Sequence, residues 1–453
     1  MLTERLRRYV RACALVAVCA LMLAPAAPTA LDAQTVPPPY VLPPIKHVFT
    51  IILENQTFDS TFGSTLPVPY LAKDVAGKGA LLTQYYGTSH FSLGNYLSLI
   101  SGQAVTRANQ DDCANSTAYP ELSTNYADIA VKGIAKFDQV MGDGCIYPKA
   151  TKTIADQLTE RGLTWHGYME DMGNDTTREL VHCGEPIGGI GEPDNTQTAQ
   201  VAPNFKSGGL LPVEDQYAAR HNPFVYFHSV LDSGACAKYV EPLGTPQKSA
   251  LVTALKSIDT TPNYTFITPN LCNDGHDTPC HAPGSPVGVH MYDPENAFLA
   301  KWVPIITRSP AFQKDGLLII TFDEASLAGT SASGVEVGYD GSGCCGEPSG
   351  PNTATPGLPP LSAPQYRTGA YVNEIITTGR AGISGGGRTG AVLVSPFINP
   401  GQVSAKQYNH YSTLRTIEDI FGLGHLGYAD YPGTPTFGPD IFGATPQHFP
   451  VTL

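Results

Sequence analysis

Short apolar runs bounded by turn-forming residues recur along the chain, at Val48 to Leu53, Leu81 to Tyr86, Phe224 to Phe227, Tyr264 to Thr268, Leu317 to Phe322 and Ala391 to Val394. They are rich in β-branched and aromatic side chains and lack polar alternation, as strands buried on both faces of a parallel sheet are. Between them, Thr153 to Arg161, Gln247 to Ile258, Pro294 to Thr307 and Tyr411 to Phe421 carry apolar positions at helical spacing. Strands alternating with helices predict an α/β fold, a mainly parallel sheet with helices on both faces. In such sheets functional groups gather beyond the carboxyl ends of the strands. That rule picks out the polar residues that directly follow a strand.

The beginning of the chain follows another pattern. Arg5, Arg7, Arg8 and Arg11 precede an apolar stretch from Ala12 to Ala24, and Leu31-Asp32-Ala33 offers a cleavage site, so residues 1–33 are expected to be a signal peptide. The apolar stretch is too short to span a bilayer, and no later run is long enough for a membrane helix. The protein is therefore expected to be secreted or periplasmic. Residues 34–453 show no internal repeat and read as a single domain. Within it, residues 326–387 are rich in Gly, Pro and Ser and predict a long loop, either a lid over the site or a surface decoration pinned by Cys344 and Cys345.

Charge narrows the partners. The whole chain carries a net −13, and residues 1–33 contribute +2 (four arginines against Glu4 and Asp32), so the remainder carries −15. So acidic a surface argues against nucleic acid, whose phosphates are gripped by Lys and Arg. A small phosphate ester stays open, because a bound cation overrides the global field locally. Eight of the ten cysteines lie beyond the leader, at 113, 145, 183, 236, 272, 280, 344 and 345. An even number in an exported chain predicts up to four disulfides. No paired C-x-x-C spacing supports a zinc site instead. A bond between the adjacent Cys344 and Cys345 would be strained, so each is expected to pair elsewhere.

The strand ends carry the candidate chemistry. Val48 to Leu53 runs into Glu54-Asn55, and Leu317 to Phe322 runs into Asp323-Glu324, which brings three carboxylates and an amide to one sheet edge. Such oxygen donors suit a divalent cation, Mg, Ca, Mn or Zn. Between the run Leu81 to Tyr86 and the short apolar helix closed by Gly102 lies His90-Phe91-Ser92-Leu93-Gly94-Asn95. A helix start offers unpaired N–H groups and a positive dipole end, so Ser92, as a further metal ligand, is placed to attack an anionic phosphoryl centre. Serine is also favoured there simply as a cap. His276, between Asp274 and Asp277 in a loop after a strand, and His221 are expected to bind phosphoryl oxygens or to protonate a leaving group. His410, Asn95 and Asp277 are expected to contact substrate. The direction of His90 is not legible.

The ordered set Glu54-Asn55-x-x-Phe58-Asp59, Ser92-Leu93-Gly94-Asn95-Tyr96, His276-Asp277, Asp323-Glu324 and Asn409-His410-Tyr411-Ser412 resembles the bacterial and fungal phosphoesterase family, which contains secreted acid phosphatases and phosphatidylcholine-type phospholipases C within the alkaline phosphatase-like superfamily. The resemblance implies an α/β/α sandwich and a Ser or Thr nucleophile on a metal. It makes Glu54, Asn55, Asp323 and Glu324 the protein ligands and Ser92 the nucleophile, with His221 and His276 lining the phosphate pocket. Many phospholipase members read Thr-x-Pro-Asn-Arg at the nucleophile and Asp-Glu-His-Gly-Gly at the late strand; this chain has Ser92-Leu93-Gly94-Asn95-Tyr96 and Asp323-Glu324-Ala325-Ser326, which leaves Thr88, Ser89 and Ser98 as other hydroxyls of that turn. No Cys-x-Pro-x-Arg or Cys-x-Ala-x-Arg sequence is present to support a sulfatase. The expectation is a secreted, metal-dependent phosphomonoesterase working through a phosphoserine. Its alternatives are a phospholipase C-type phosphodiesterase, acting on a phospholipid headgroup, and a non-catalytic exported metal-binding protein, which would keep Glu54 and Asp323 without needing a hydroxyl at position 92.

Overall fold

The computed structural model describes residues 40–63, 68–114, 125–198, 215–277, 292–325, 340–352, 385–443 and 447–453. The expected signal peptide and residues 326–339 and 353–384 of the expected long loop lie outside them. Eight strands form the main sheet: β1 His47–Leu53, β2 Ala80–Leu82, β3 Trp165–Met169, β4 Val240–Pro242, β5 Tyr264–Thr268, β6 Gly316–Phe322, β7 Ala391–Val394 and β8 Gln402–Ser404. Their spatial order is β8-β2-β7-β6-β1-β5-β3-β4. Every neighbouring pair is parallel except the two that β7 makes, with β6 and with β2.

Both faces of the sheet are buried, which explains the runs without polar alternation. Along β1, Val48 and Ile52 join a core that includes Leu93, Leu97, Ile100, Leu414 and Ile417, from the helices Ser92–Ser101 and His410–Phe421. Phe49, Ile51 and Leu53 join the opposite core, with Phe298, Leu299, Trp302 and Ile306 of the helix Tyr292–Thr307. The result is the α/β sandwich expected from the pattern. Helix starts follow their caps: Thr153 and Asp156 form a capping box for Ile154–Glu160, and Asn409 with Ser412 does so for His410–Phe421.

Four expectations are corrected. Leu81 to Tyr86 is two pieces: after β2 the chain turns, and Tyr85–Tyr86 pairs with Tyr408–Asn409 in a separate ribbon. Phe224 to Phe227 is not a strand but mostly a 3₁₀ turn, Pro223–Tyr226, because Pro223 presets its φ and has no N–H for a ladder. Its buried Phe224 ring instead packs where a Cβ on Gly167 of β3 would lie 2.9 Å from Cε2. Finally, Cys344 and Cys345 are bonded to each other, alongside Cys113–Cys145 and Cys183–Cys236. The left-handed φ of Cys345 (80°), followed by that of Gly346 (81°), gives the tight local turn in which neighbours can meet. Helix Gln247 to Ile258 is also shorter than expected, Ala250–Ala254, starting from the Ser249 cap.

Described residues of the long loop, Ser342, Gly386 and Gly387, bond to one another and to the framework. The amide of Gly387 donates to the Ser342 carbonyl at 2.9 Å, and beside the end of β6 Gly386 donates to the Gly87 carbonyl and accepts from the Ala325 N–H.

Candidate active site

Sheet register creates the site. β1 and β6 run parallel with Leu53 opposite Phe322, so the next residue of each, Glu54 and Asp323, emerges beside the other, and both are fully buried. Asn55 has a left-handed φ of 56° and aims its N–H at Asp323 Oδ1, 3.0 Å away. On the other side of β1, the loop after β5 returns so that the Asp274 carbonyl accepts the Glu54 N–H at 2.8 Å.

The helix Ser92–Ser101 brings the hydroxyl. Ser92 Oγ donates to Glu54 Oε2 at 2.8 Å, and Tyr96, one turn further along the same face, donates to Glu54 Oε1 at 2.7 Å. Ser92 is therefore not a cap. The cap position is Phe91, and the Leu93 N–H is met instead by Asp112 Oδ1 at 2.8 Å. Of the other hydroxyls in the turn, Thr88 and Ser98 bond to each other at 2.8 Å and Ser89 Oγ has no partner, so Ser92 alone among these four is bonded to a strand-end carboxylate. Asn95 was expected to contact substrate. It instead accepts from the Thr88 and Ser89 amides and donates to the Ser89 and Phe91 carbonyls, so both ends of its amide organise the turn.

Each histidine has a defined neighbourhood. His221 Nδ1 lies 3.1 Å from Asp274 Oδ2, while its Nε2 lies 3.2 Å from Glu54 Oε1 yet is misaligned for a hydrogen bond and has no such partner. The Tyr96 ring stacks on His221 at 5.1 Å and fixes its plane. His276 Nδ1 meets Asp277 Oδ1 at 2.9 Å and its Nε2 meets Arg220 Nη2 at 3.2 Å. A guanidinium can only donate, so Nε2 is an acceptor and carries no proton to give. In this arrangement Asp277 orients the His276 ring and Arg220 lies against its Nε2. His410 also turns inward: Nε2 donates to the Asp323 carbonyl at 2.6 Å and Nδ1 faces the Tyr85 hydroxyl at 3.1 Å, so it supports the strand end rather than facing a substrate. His90 faces acceptors on both ring nitrogens, Glu324 Oε2 and the Asp340 carbonyl, an arrangement that needs both protons.

Electrostatics agree with that wiring. Burial, then the charges of Asp323 and Asp274, push the Glu54 carboxyl well above its usual range. Burial, then Glu324, raises Asp323 to about 8. Burial, with Arg220 and His276 adding to it, holds His221 well below its ordinary value. For His90 burial pulls downward, but the charge and hydrogen bond of Glu324 outweigh it and the net shift is upward. Buried carboxylates with so few cations between them suit a bound metal ion. Glu54, His221 and Asp274 each offer one ligand atom, all within 4.8 Å of one another, and the buried Asp323 Oδ2 has no hydrogen-bond partner. The chemistry of this donor set fits a divalent cation.

Asp274 as a candidate ligand, and roles for Tyr96, Asp112 and Arg220, were not expected from the sequence. Asp274 had a signal, its place two residues before His276 in a loop following a strand. Asp112 and Arg220 had none, since only the fold brings them to the start of the Ser92 helix.

The chain matches the Phosphoesterase family over residues 66–424. It is 26% identical over 252 residues to the phosphate-repressible acid phosphatase of Penicillium chrysogenum, covering 55% of this chain and 42% of that protein. It is 23% identical over 257 residues to an acid phosphatase of Aspergillus fumigatus, covering 56% and 40%. It thus spans under half the length of these curated relatives. Among solved structures, a protein of the alkaline phosphatase superfamily from Vibrio parahaemolyticus aligns with a TM-score of 0.40 and 12% identity over 84% of this chain and 67% of that one. The match over most of its length makes this chain a member of the Phosphoesterase family.

Proposed function

We propose that this member of the Phosphoesterase family is an exported, metal-dependent phosphoric ester hydrolase that acts on phosphomonoesters through Ser92. The observation that carries the reading is the Ser92 hydroxyl, set at a helix start and bonded to a buried carboxylate that shares a ready set of cation ligands. Glu54, Asn55 and Asp323, with Asp274 and His221, would hold the metal, and Glu324, tied to His90, stands beside them. Held by these residues, a divalent cation would lower the pKa of the serine hydroxyl and would neutralise charge on the phosphoryl oxygens. Tyr96 and Asn55 fix the Glu54 carboxylate so that the Ser92 proton points at Oε2 and the oxygen lone pairs point away from it. Ser92 Oγ forms a bond to phosphorus as its proton passes to Glu54 Oε2, the ester P–O bond breaks, and the leaving oxygen takes up a proton from water and departs as the alcohol. Water then attacks the phosphoserine, frees Ser92 and releases inorganic phosphate.

Export is supported by the bonded pairs Cys113–Cys145 and Cys183–Cys236, which persist in oxidising compartments. Among the described residues no helix is long and apolar enough to cross a membrane.

The test is hydrolysis of a chromogenic phosphomonoester, a phosphodiester and phosphatidylcholine by the purified protein, each with and without chelator and beside Ser92→Ala. Loss of phosphomonoester turnover with chelator and with Ser92→Ala supports the reading. Preference for the diester or the lipid would make it a phospholipase C-type enzyme. Full activity in Ser92→Ala would move the nucleophile, and no hydrolysis of any ester would return the protein to a metal-binding role.

A further inference from the structure

Arg220 lies in the 3₁₀ turn Ala219–His221, is only 3% exposed, and is held from three sides. Its Nη1 donates to the Gln197 carbonyl at 2.9 Å and faces the Gln197 Oε1 at 3.3 Å. Its Nη2 donates to His276 Nε2 at 3.2 Å, and its Nε stands 3.9 Å from Asp112 Oδ2, too far for a hydrogen bond. One N–H of Nη2 and the Nε–H therefore meet no hydrogen-bond acceptor among the described residues. For a guanidinium this deep in the protein, two unmatched donors are a seat for an anion.

The surrounding groups aim that seat. Asp112 accepts the Leu93 N–H through Oδ1 while its Oδ2 faces Arg220, so a single carboxylate links the arginine to the start of the helix that carries Ser92. Asp112 and Cys113 hold left-handed φ values of 53° and 54°, unfavourable for side chains with a Cβ, and the Cys113–Cys145 disulfide anchors that turn. On the other flank, Asp277 accepts a hydrogen bond from the Nδ1–H of His276, so His276 presents its Nε2 lone pair to Arg220. This wiring explains why a histidine flanked by two carboxylates points its one free acceptor at a cation.

We propose that Arg220 binds the non-bridging phosphoryl oxygens of the substrate, and that Asp112 and His276 are positioning residues that aim its guanidinium. The inference rests on the phosphoesterase reading of the same site. Arginine suits the role because its fork matches two phosphoryl oxygens at once, whereas lysine offers a point charge.

The experiment is calorimetric titration of inorganic phosphate into full-length Ser92→Ala protein with its metal intact, and into the same protein carrying Arg220→Gln, Arg220→Lys or Asp112→Asn. In parallel, KM and kcat for a phosphomonoester are measured for the three single variants with Ser92 in place. Arg220→Gln is expected to weaken phosphate binding about 10- to 100-fold, with Arg220→Lys recovering part of the loss. Asp112→Asn is expected to raise KM more than it lowers kcat, a split that a purely structural role would not produce. Unchanged phosphate affinity in Arg220→Gln would overturn the proposal, as would a parent protein that binds no phosphate. If Arg220→Gln does not fold, unchanged affinity in both Arg220→Lys and Asp112→Asn overturns it. Arg220-dependent phosphate binding by a protein that hydrolyses no ester would sustain this inference while defeating the functional one.

Discussion

Two clusters of acidic residues sit at the same edge of the sheet, and the protein treats them differently. Beyond β3, Glu170 Oε2 accepts from the Asn270 N–H at 3.1 Å and from Asn273 Nδ2 at 2.9 Å, and Asp171 Oδ2 accepts from Asn270 Nδ2 at 2.7 Å. Beyond β1 and β6, Glu54 accepts from Ser92, Tyr96 and Asn55, while the buried Asp323 Oδ2 accepts nothing. Burial comes first in raising both Glu170, to about 7, and Asp323, to about 8. Charge and burial therefore do not distinguish the clusters; the one buried oxygen without a donor, Asp323 Oδ2, does. In the first cluster asparagines answer the carboxylates; in the second Ser92, Tyr96 and Asn55 answer Glu54, but the buried Asp323 Oδ2 meets no donor, and that atom suits a cation.

The contrast is broken or sharpened by four substitutions, and the largest effect belongs to Ser92→Ala. Turnover should fall by about 10³-fold or more, because the nucleophile is gone. Metal content should stay, and melting should reveal the loss of only one hydrogen bond, about 1 kcal/mol. Next, Asp323→Asn should weaken divalent-cation affinity by about 100-fold in a chelator competition, since a ligand charge is removed. An Asp323→Asn protein that holds its cation as tightly as the parent would erase the distinction between the clusters.

His410→Ala tests the support beneath the site. It leaves the Asp323 carbonyl without its donor and opens a small cavity beside Tyr85, for a loss of about 2–3 kcal/mol in denaturant unfolding and a smaller loss of kcat. Glu170→Gln should matter least, and only through pH. With its pKa raised from 4.5 unfolded to about 7 folded, Glu170 keeps a proton in the folded protein that the unfolded chain releases. Its contribution is complete below pH 4.5 and is lost as pH rises through 7, so stability should fall across that window. The glutamine variant, whose side-chain oxygen can still accept both donors, should flatten that fall in melting curves taken with chelator present, without moving kcat.

The two clusters also show what a sequence can reveal. Glu54 and Asp323 were legible because each directly follows an apolar run, and neighbouring parallel strands place such residues together by register alone. The strand β3 was not legible: Trp165-His166-Gly167-Tyr168-Met169 breaks the apolar pattern with a glycine whose value is the room it leaves for Phe224. Phe224 to Phe227 failed in the opposite sense, since a run buried in a turn has the same composition as a buried strand. The roles of His276 and Asn95 depended on hydrogen bonds to Arg220 and to the turn backbone, which no local pattern encodes.

The most direct measurement is metal content by plasma mass spectrometry of the purified protein and of Asp323→Asn, alongside phosphomonoester turnover of the same samples. A stoichiometric divalent cation is expected in the parent, with both cation and turnover lost in Asp323→Asn. A parent protein that hydrolyses phosphomonoesters after exhaustive chelation, with no divalent cation bound, would contradict that expectation.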